Sequence, residues 1–185
     1  MDFSKFKTSD WLMIGGAAVM LICGMFINWA SFGGYSGNNA FDYFFTGGIA
    51  WILVVATGVV AFLLAGGMIK RDGLPWPLVL LAAAGLGGLL MLLRLILGGG
   101  SVGEDPFEVD LDRAAGMYLS FIGAAAAAAG AFMNFTASGG SMSDLTDMDK
   151  IKSQFGGNGG GGSTPPPPPP PPGMTPPPPP PPPAG

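Results

Sequence analysis

The chain has 185 residues, of which 49% are hydrophobic and only 11% charged, and its mean hydropathy is +0.46. Soluble domains carry about 25% charged residues, so this composition excludes an ordinary water-soluble enzyme. A net charge of −4 excludes binding of nucleic acid through a strongly basic surface, and a chain with no histidine and one cysteine can build no His-based catalytic centre, internal disulfide or Cys-rich zinc site.

Residues 1–10 form a short N-terminal segment with Lys5 and Lys7, followed by an apolar run over about 11–29. That run is longer than a signal-peptide core and ends in Phe26-Ile27-Asn28-Trp29 without a small-x-small cleavage site, so it is expected to stay as a helix. Bulky Ile22 before Cys23 departs from a lipid-attachment signal, and Cys23 reads as a packed or lipid-facing thiol. Three further runs, at about 48–69, 77–97 and 114–135, are each long enough to cross a hydrocarbon core of about 30 Å. The fold class is therefore an all-α membrane protein, an antiparallel four-transmembrane-helix bundle.

Lys5, Lys7, Lys70, Arg71, Lys150 and Lys152 all fall on one side of these spans. The positive-inside rule assigns that side to the cytoplasm, so both termini are expected there. Trp11, Trp29, Trp51 and Trp76 stand near helix ends and read as interfacial anchors. Small residues fill the helices, with Ala84 and Gly88 on one face, as helix packing in lipid requires. The same faces offer a route to a homo-oligomer.

Between the first two helices, residues 30–47 combine Gly and Asn with Tyr35, Phe41, Tyr43, Phe44 and Phe45. The segment is expected to lie on the membrane interface as an amphipathic or re-entrant piece. Arg94 is the lone ionisable residue within the four runs and sits near the outer end of the third. Its stem is expected to snorkel to the headgroups, or its charge to pair with a loop carboxylate such as Asp105. The loop 98–113 crowds Glu104, Asp105, Glu108, Asp110 and Asp112 together without the EF-hand spacing, and reads as a solvated approach to the fourth helix. No cofactor or metal is expected.

Beyond the fourth run, 136–155 is a linker and a short amphipathic helix in which Leu145, Met148, Ile151 and Phe155 share one face, with Ser143 as its cap. Residues 156–185 form a Gly-rich hinge and two successive eight-proline runs, expected to be disordered apart from polyproline II rods of about 25 Å each. Pro165, Pro168, Pro172, Pro176, Pro179 and Pro183 are the candidate contacts for an aromatic-lined groove, and the duplication would add avidity.

The Trp-Ala-Ser-Phe exit from the first helix at 29–32, the Asn-Ala-Phe entry to the second at 39–41 and the Pro-rich end together resemble small four-helix envelope proteins of high-GC Gram-positive bacteria. The resemblance covers about positions 8 to 135. It implies a multi-pass protein of the bacterial plasma membrane and no assigned chemistry. The functional expectation is a non-enzymatic scaffold or adaptor, held by membrane lipids, whose tail recruits a cytoplasmic polyproline-binding protein. The alternative is a small transporter, channel or accessory transport subunit, which would use polar residues such as Arg94 or Thr57.

Overall fold

The computed structural model of the protein describes residues 4, 6–33, 35–70, 74–103, 106 and 108–156. Helix α1 (Thr8–Phe26) begins three residues before the expected start, because the Asp10 carboxylate accepts the Lys7 N–H at 2.9 Å and closes the first turn. A carboxylate is also favoured there by the partial positive charge of a helix N-terminus. Helix α2 (Ile49–Ala65) is entered through a 3-10 turn (Ala40–Tyr43) and a π turn (Phe44–Gly48). Together they make one apolar span of 26 residues. Helix α3 (Trp76–Leu97) carries Pro77 in its first turn, where a missing N–H costs nothing. Helix α4 (Ala115–Ala137) completes the set.

These four helices are each long and apolar enough to cross a membrane, and the chain is a multi-pass membrane protein. They close into a ring: α1 lies beside α2 and α4, and α3 lies beside the same two. Large apolar side chains such as Phe26, Leu89, Ile96 and Ile122 face outward. Lipid tails welcome such a surface but provide no hydrophobic drive for the helices to associate, so close packing must supply it.

The α1–α4 seam supplies it through glycine. Gly116, Gly123 and Gly130 recur every seven residues on α4, the period that keeps one stripe facing a neighbouring helix. A Cβ added at Gly123 would stand 2.8 Å from the Gly16 carbonyl oxygen, and one at Gly130 would stand 2.7 Å from that of Ser9. At Gly116 it would come within 2.5 Å of the Ile27 carbonyl oxygen. Backbone thus meets backbone along the whole seam. The interior is filled by Met13, Met20, Met91 and Met117 between small residues such as Ala50, Ala84, Ala124 and Ala127. Flexible methionines fill irregular gaps of this kind.

The two ends of the ring differ. The terminal end carries the start of α1, the α2–α3 turn and the end of α4. The loop end carries five short strands: β1 (Ala30–Phe32), β2 (Tyr35–Gly37), β3 (Ser101–Val102), β4 (Val109–Asp110) and β5 (Asp112–Arg113). They form two antiparallel sheets, β2-β1-β5 and β3-β4. Ala30 pairs with Gly37 on one side and Arg113 on the other, and Ser101 pairs with Asp110. The expected solvated helix approach therefore carries strand at Asp110 and at Asp112, on either side of Leu111. Pairing with β1 and β3 satisfies backbone groups that a lone loop would leave to solvent. Gly33, at φ +53, supplies the left-handed conformation that the tight β1–β2 turn requires.

Beyond α4 the expected single helix is split. A 3-10 turn (Met142–Leu145) precedes α5 (Met148–Gly156), so Leu145 is not on the same helix as Met148 and Ile151. The cap of α5 is Asp147, whose Oδ1 accepts the N–H groups of Asp149 and Lys150 at 3.1 and 3.2 Å, rather than Ser143.

Candidate functional sites at the two ends of the bundle

At the loop end three side chains stack. Trp29 is fully buried and donates its Nε1–H to the Cys23 carbonyl at 3.0 Å. Its ring lies nearly parallel to Tyr43, with centroids 6.3 Å apart. The guanidinium of Arg94 lies over the Tyr43 ring, with Cζ 3.4 Å from the centroid. Tyr43 comes inward because its 3-10 turn is started by Asn39, whose side chain accepts the Phe41 N–H at 2.8 Å. Phe41, Phe44 and Phe45 are left facing outward, so the aromatic segment is amphipathic as expected, but helical. The Tyr43 hydroxyl donates to the Gly99 carbonyl and accepts from Asn38 Nδ2 at 3.2 Å, tying the first loop to the second.

Two expectations are corrected here. Arg94 does not snorkel: it is 7% exposed, covered by the loop that begins at Gly98. Trp29 is core rather than an interfacial anchor, and Trp51 packs on Gly24 with its Nε1 buried. Of the four tryptophans only Trp11 is half exposed, and its ring packs at a tilt against Phe6, with centroids 5.4 Å apart. Asp105, the candidate partner of Arg94, lies outside the described residues.

Arg113 has a different task. Its Nε donates to the Leu95 carbonyl at 2.8 Å and its Nη2 to that of Ile96 at 3.1 Å. Those carbonyls end α3 and lack intrahelical donors, so a cation from β5 caps both the hydrogen bonds and the negative helix terminus. The Trp29 and Asn28 carbonyls in turn accept the N–H groups of Ala114 and Gly116 at the start of α4.

At the terminal end a cavity of about 70 Å³ opens among all four helices, lined by Asp10, Ala61, Leu64, Trp76, Leu80 and Asn134. Asp10 is 4% exposed, and the Trp76 Nε1–H is buried with no acceptor among the described residues. The cavity is mostly apolar, with Asp10 and Asn134 as its polar lining, and is large enough for about two waters. Sequence reading placed Asp10 outside the first helix and so missed it, although a carboxylate three residues after the helix boundary is a capping signal.

The candidate docking residues Leu145 and Ile151 are half-buried and Met148 is exposed. The side chain of Phe155 and the prolines Pro165, Pro168, Pro172, Pro176, Pro179 and Pro183 lie outside the described residues. Lys150 donates to Asp144 at 2.9 Å, the ion pair found among the described residues. That bond, with the Ser141 N–H, holds the Asp144 carboxyl at about 2, below its usual 3.8, and the carboxylate pushes Lys150 up. Many of the small residues read as an oligomer face are used within the ring; Gly15 and Gly85 remain open, with nothing within 4 Å of an added Cβ. Among the described residues no group of three or more His, Cys, Asp or Glu could hold a metal. Comparison with protein-family models, with curated proteins and with solved structures finds no significant match to this chain.

Proposed function

We propose that the protein is a non-enzymatic membrane scaffold or adaptor, in which the four-helix ring is the anchor and the proline-rich tail recruits a partner. The observation that carries this reading is the contrast between the two parts. The ring is closed by backbone-to-backbone glycine contacts along α1 and α4, which suits a static anchor. The chain beyond α4 combines an amphipathic α5, a glycine hinge and two eight-proline runs. Polyproline runs are stiff, pre-extended ligands for aromatic-lined grooves.

Lys7, Lys70, Lys150 and Lys152 lie at the terminal end, which by the positive-inside rule faces the cytoplasm. With the resemblance over positions 8 to 135, this supports the reading of a bacterial plasma membrane protein with both termini inside. The partner is then a cytoplasmic polyproline-binding protein. The test is affinity purification of the full-length protein from native membranes beside a version ending at residue 155. A protein enriched only with the full tail is the expected result. Identical partner lists would refute recruitment by the tail.

The alternative, a small transporter, channel or accessory transport subunit, draws on the buried Arg94 and on the Asp10 cavity. Thr57 adds little, because its Oγ1 donates to the Leu53 carbonyl at 2.8 Å. Solute flux into liposomes that is lost in Arg94→Gln or Asp10→Asn would favour this reading over the first.

A further inference from the structure

Arg94 is a charged side chain that its own protein neighbours leave unsatisfied. It is 7% exposed, and both Nε and Nη2 are buried with no hydrogen-bond partner among the described residues. The pairing of those two atoms matters. In a guanidinium, Nε–H and one N–H of Nη2 leave the same edge in parallel, a rigid fork whose spacing matches two oxygens of a carboxylate or a phosphate. The guanidinium plane is fixed by the Tyr43 ring 3.4 Å beneath it. On the Nη2 side lies Gly100, where an added Cβ would stand 3.5 Å from that nitrogen.

The surroundings carry charge of both signs, with Arg113 set among the loop carboxylates Glu108, Asp110 and Asp112. Arg113 reaches the same glycine loop, and a Cβ added at Gly98 would stand 3.4 Å from its Nη2. Two guanidiniums therefore flank residues 98–100. The carboxylates described nearby do not neutralise either of them: Glu108 accepts from Ser101 Oγ, and Asp110 and Asp112 sit in β4 and β5 without an ion pair. A buried, unpaired guanidinium is strongly unfavourable, the more so at the edge of a hydrocarbon layer. Arg94 is three residues from the end of α3, close to the loop end of the helix.

We infer that Arg94 is an oxyanion receptor, binding one phosphate or carboxylate group side-on through Nε and Nη2 above the face of Tyr43. The site is independent of the tail and of the adaptor reading.

The test uses the full-length protein in phosphatidylcholine nanodiscs. Inorganic phosphate and acetate are titrated while thermal unfolding and the Arg94 Nε–H resonance are followed. A second arm adds phosphatidylglycerol to the nanodiscs and weighs the lipid retained on the protein by native mass spectrometry. A saturable response to phosphate or acetate identifies a free anion, and retained phosphatidylglycerol with a moved resonance identifies a lipid phosphate. Either result supports the receptor. Arg94→Lys, which keeps the charge and loses the fork, should weaken binding at least tenfold. If that variant does not fold, the Nε–H resonance of the unaltered protein still decides. No response to any of the three anions would overturn the proposal, as would Arg94→Lys binding like the parent. So would sensitivity to anions that emerges only in Glu104→Gln with Asp105→Asn, because the fork would then already hold a carboxylate of its own chain.

Discussion

The two ends of the helical ring are built on different principles. At the loop end several bonds join elements far apart in sequence: Tyr43 to Gly99, Arg113 to Leu95 and Ile96, Trp29 to Ala114, β1 to β5. At the terminal end the bonds are local, as between Lys7 and Asp10 or Ser141 and Asp144, and a cavity separates the helices. Long-range bonds fix the helices relative to one another, whereas local bonds only finish each element. The loop end is thus the clamp of the molecule, and the terminal end is free to present the chain beyond α4.

That contrast can be broken by substitution. Trp29→Ala removes a fully buried ring that supports both Tyr43 and the α1 exit, and should cost about 3–5 kcal/mol in reversible unfolding from micelles. Trp76→Ala, beside the cavity, should cost clearly less; equal losses would erase the distinction. Gly116→Ala sets a methyl against the Ile27 carbonyl and should cost about 1–3 kcal/mol by overpacking. Gly15→Ala, with open space around it, should be neutral or slightly stabilising in the same assay.

Arg113→Met uncaps α3 and should cost about 1 kcal/mol, with faster amide exchange confined to the end of that helix. The smallest effect belongs to the Asp144–Lys150 pair. Because the Asp144 carboxyl is held below its free value, its support of the turn before α5 is complete above about pH 4 and fades as the pH falls towards 2. A carboxyl-carbon titration should show that low midpoint, and Lys150→Ala should raise it part of the way back, since the Ser141 N–H bond remains, leaving the ring untouched.

The four spans were legible because about twenty apolar residues in a row have one stable solution in lipid. The strand cap was not. Strands of two or three residues carry no periodicity, and their partners lie far along the chain, as Ala30 and Arg113 do. Trp29 was misread for a related reason: a tryptophan at a helix end suits an anchor until a loop folds over it. Arg94 was located correctly along its helix, but nothing in its neighbours announced Tyr43, which reaches it only through the 3-10 and π turns before α2. The glycine stripe of α4 was readable. Attention to residues four apart hid a repeat of seven.

That stripe also bears on how the protein is made. The closest partner of α1 is α4, and the ribosome delivers α4 after the other three spans. Until it arrives, α1 has only α2 to lean on, with its Gly16 face turned towards lipid or the insertion machinery. The set of three helices therefore stays open on the side where α1 and α3 face each other, and the arrival of α4 completes the ring.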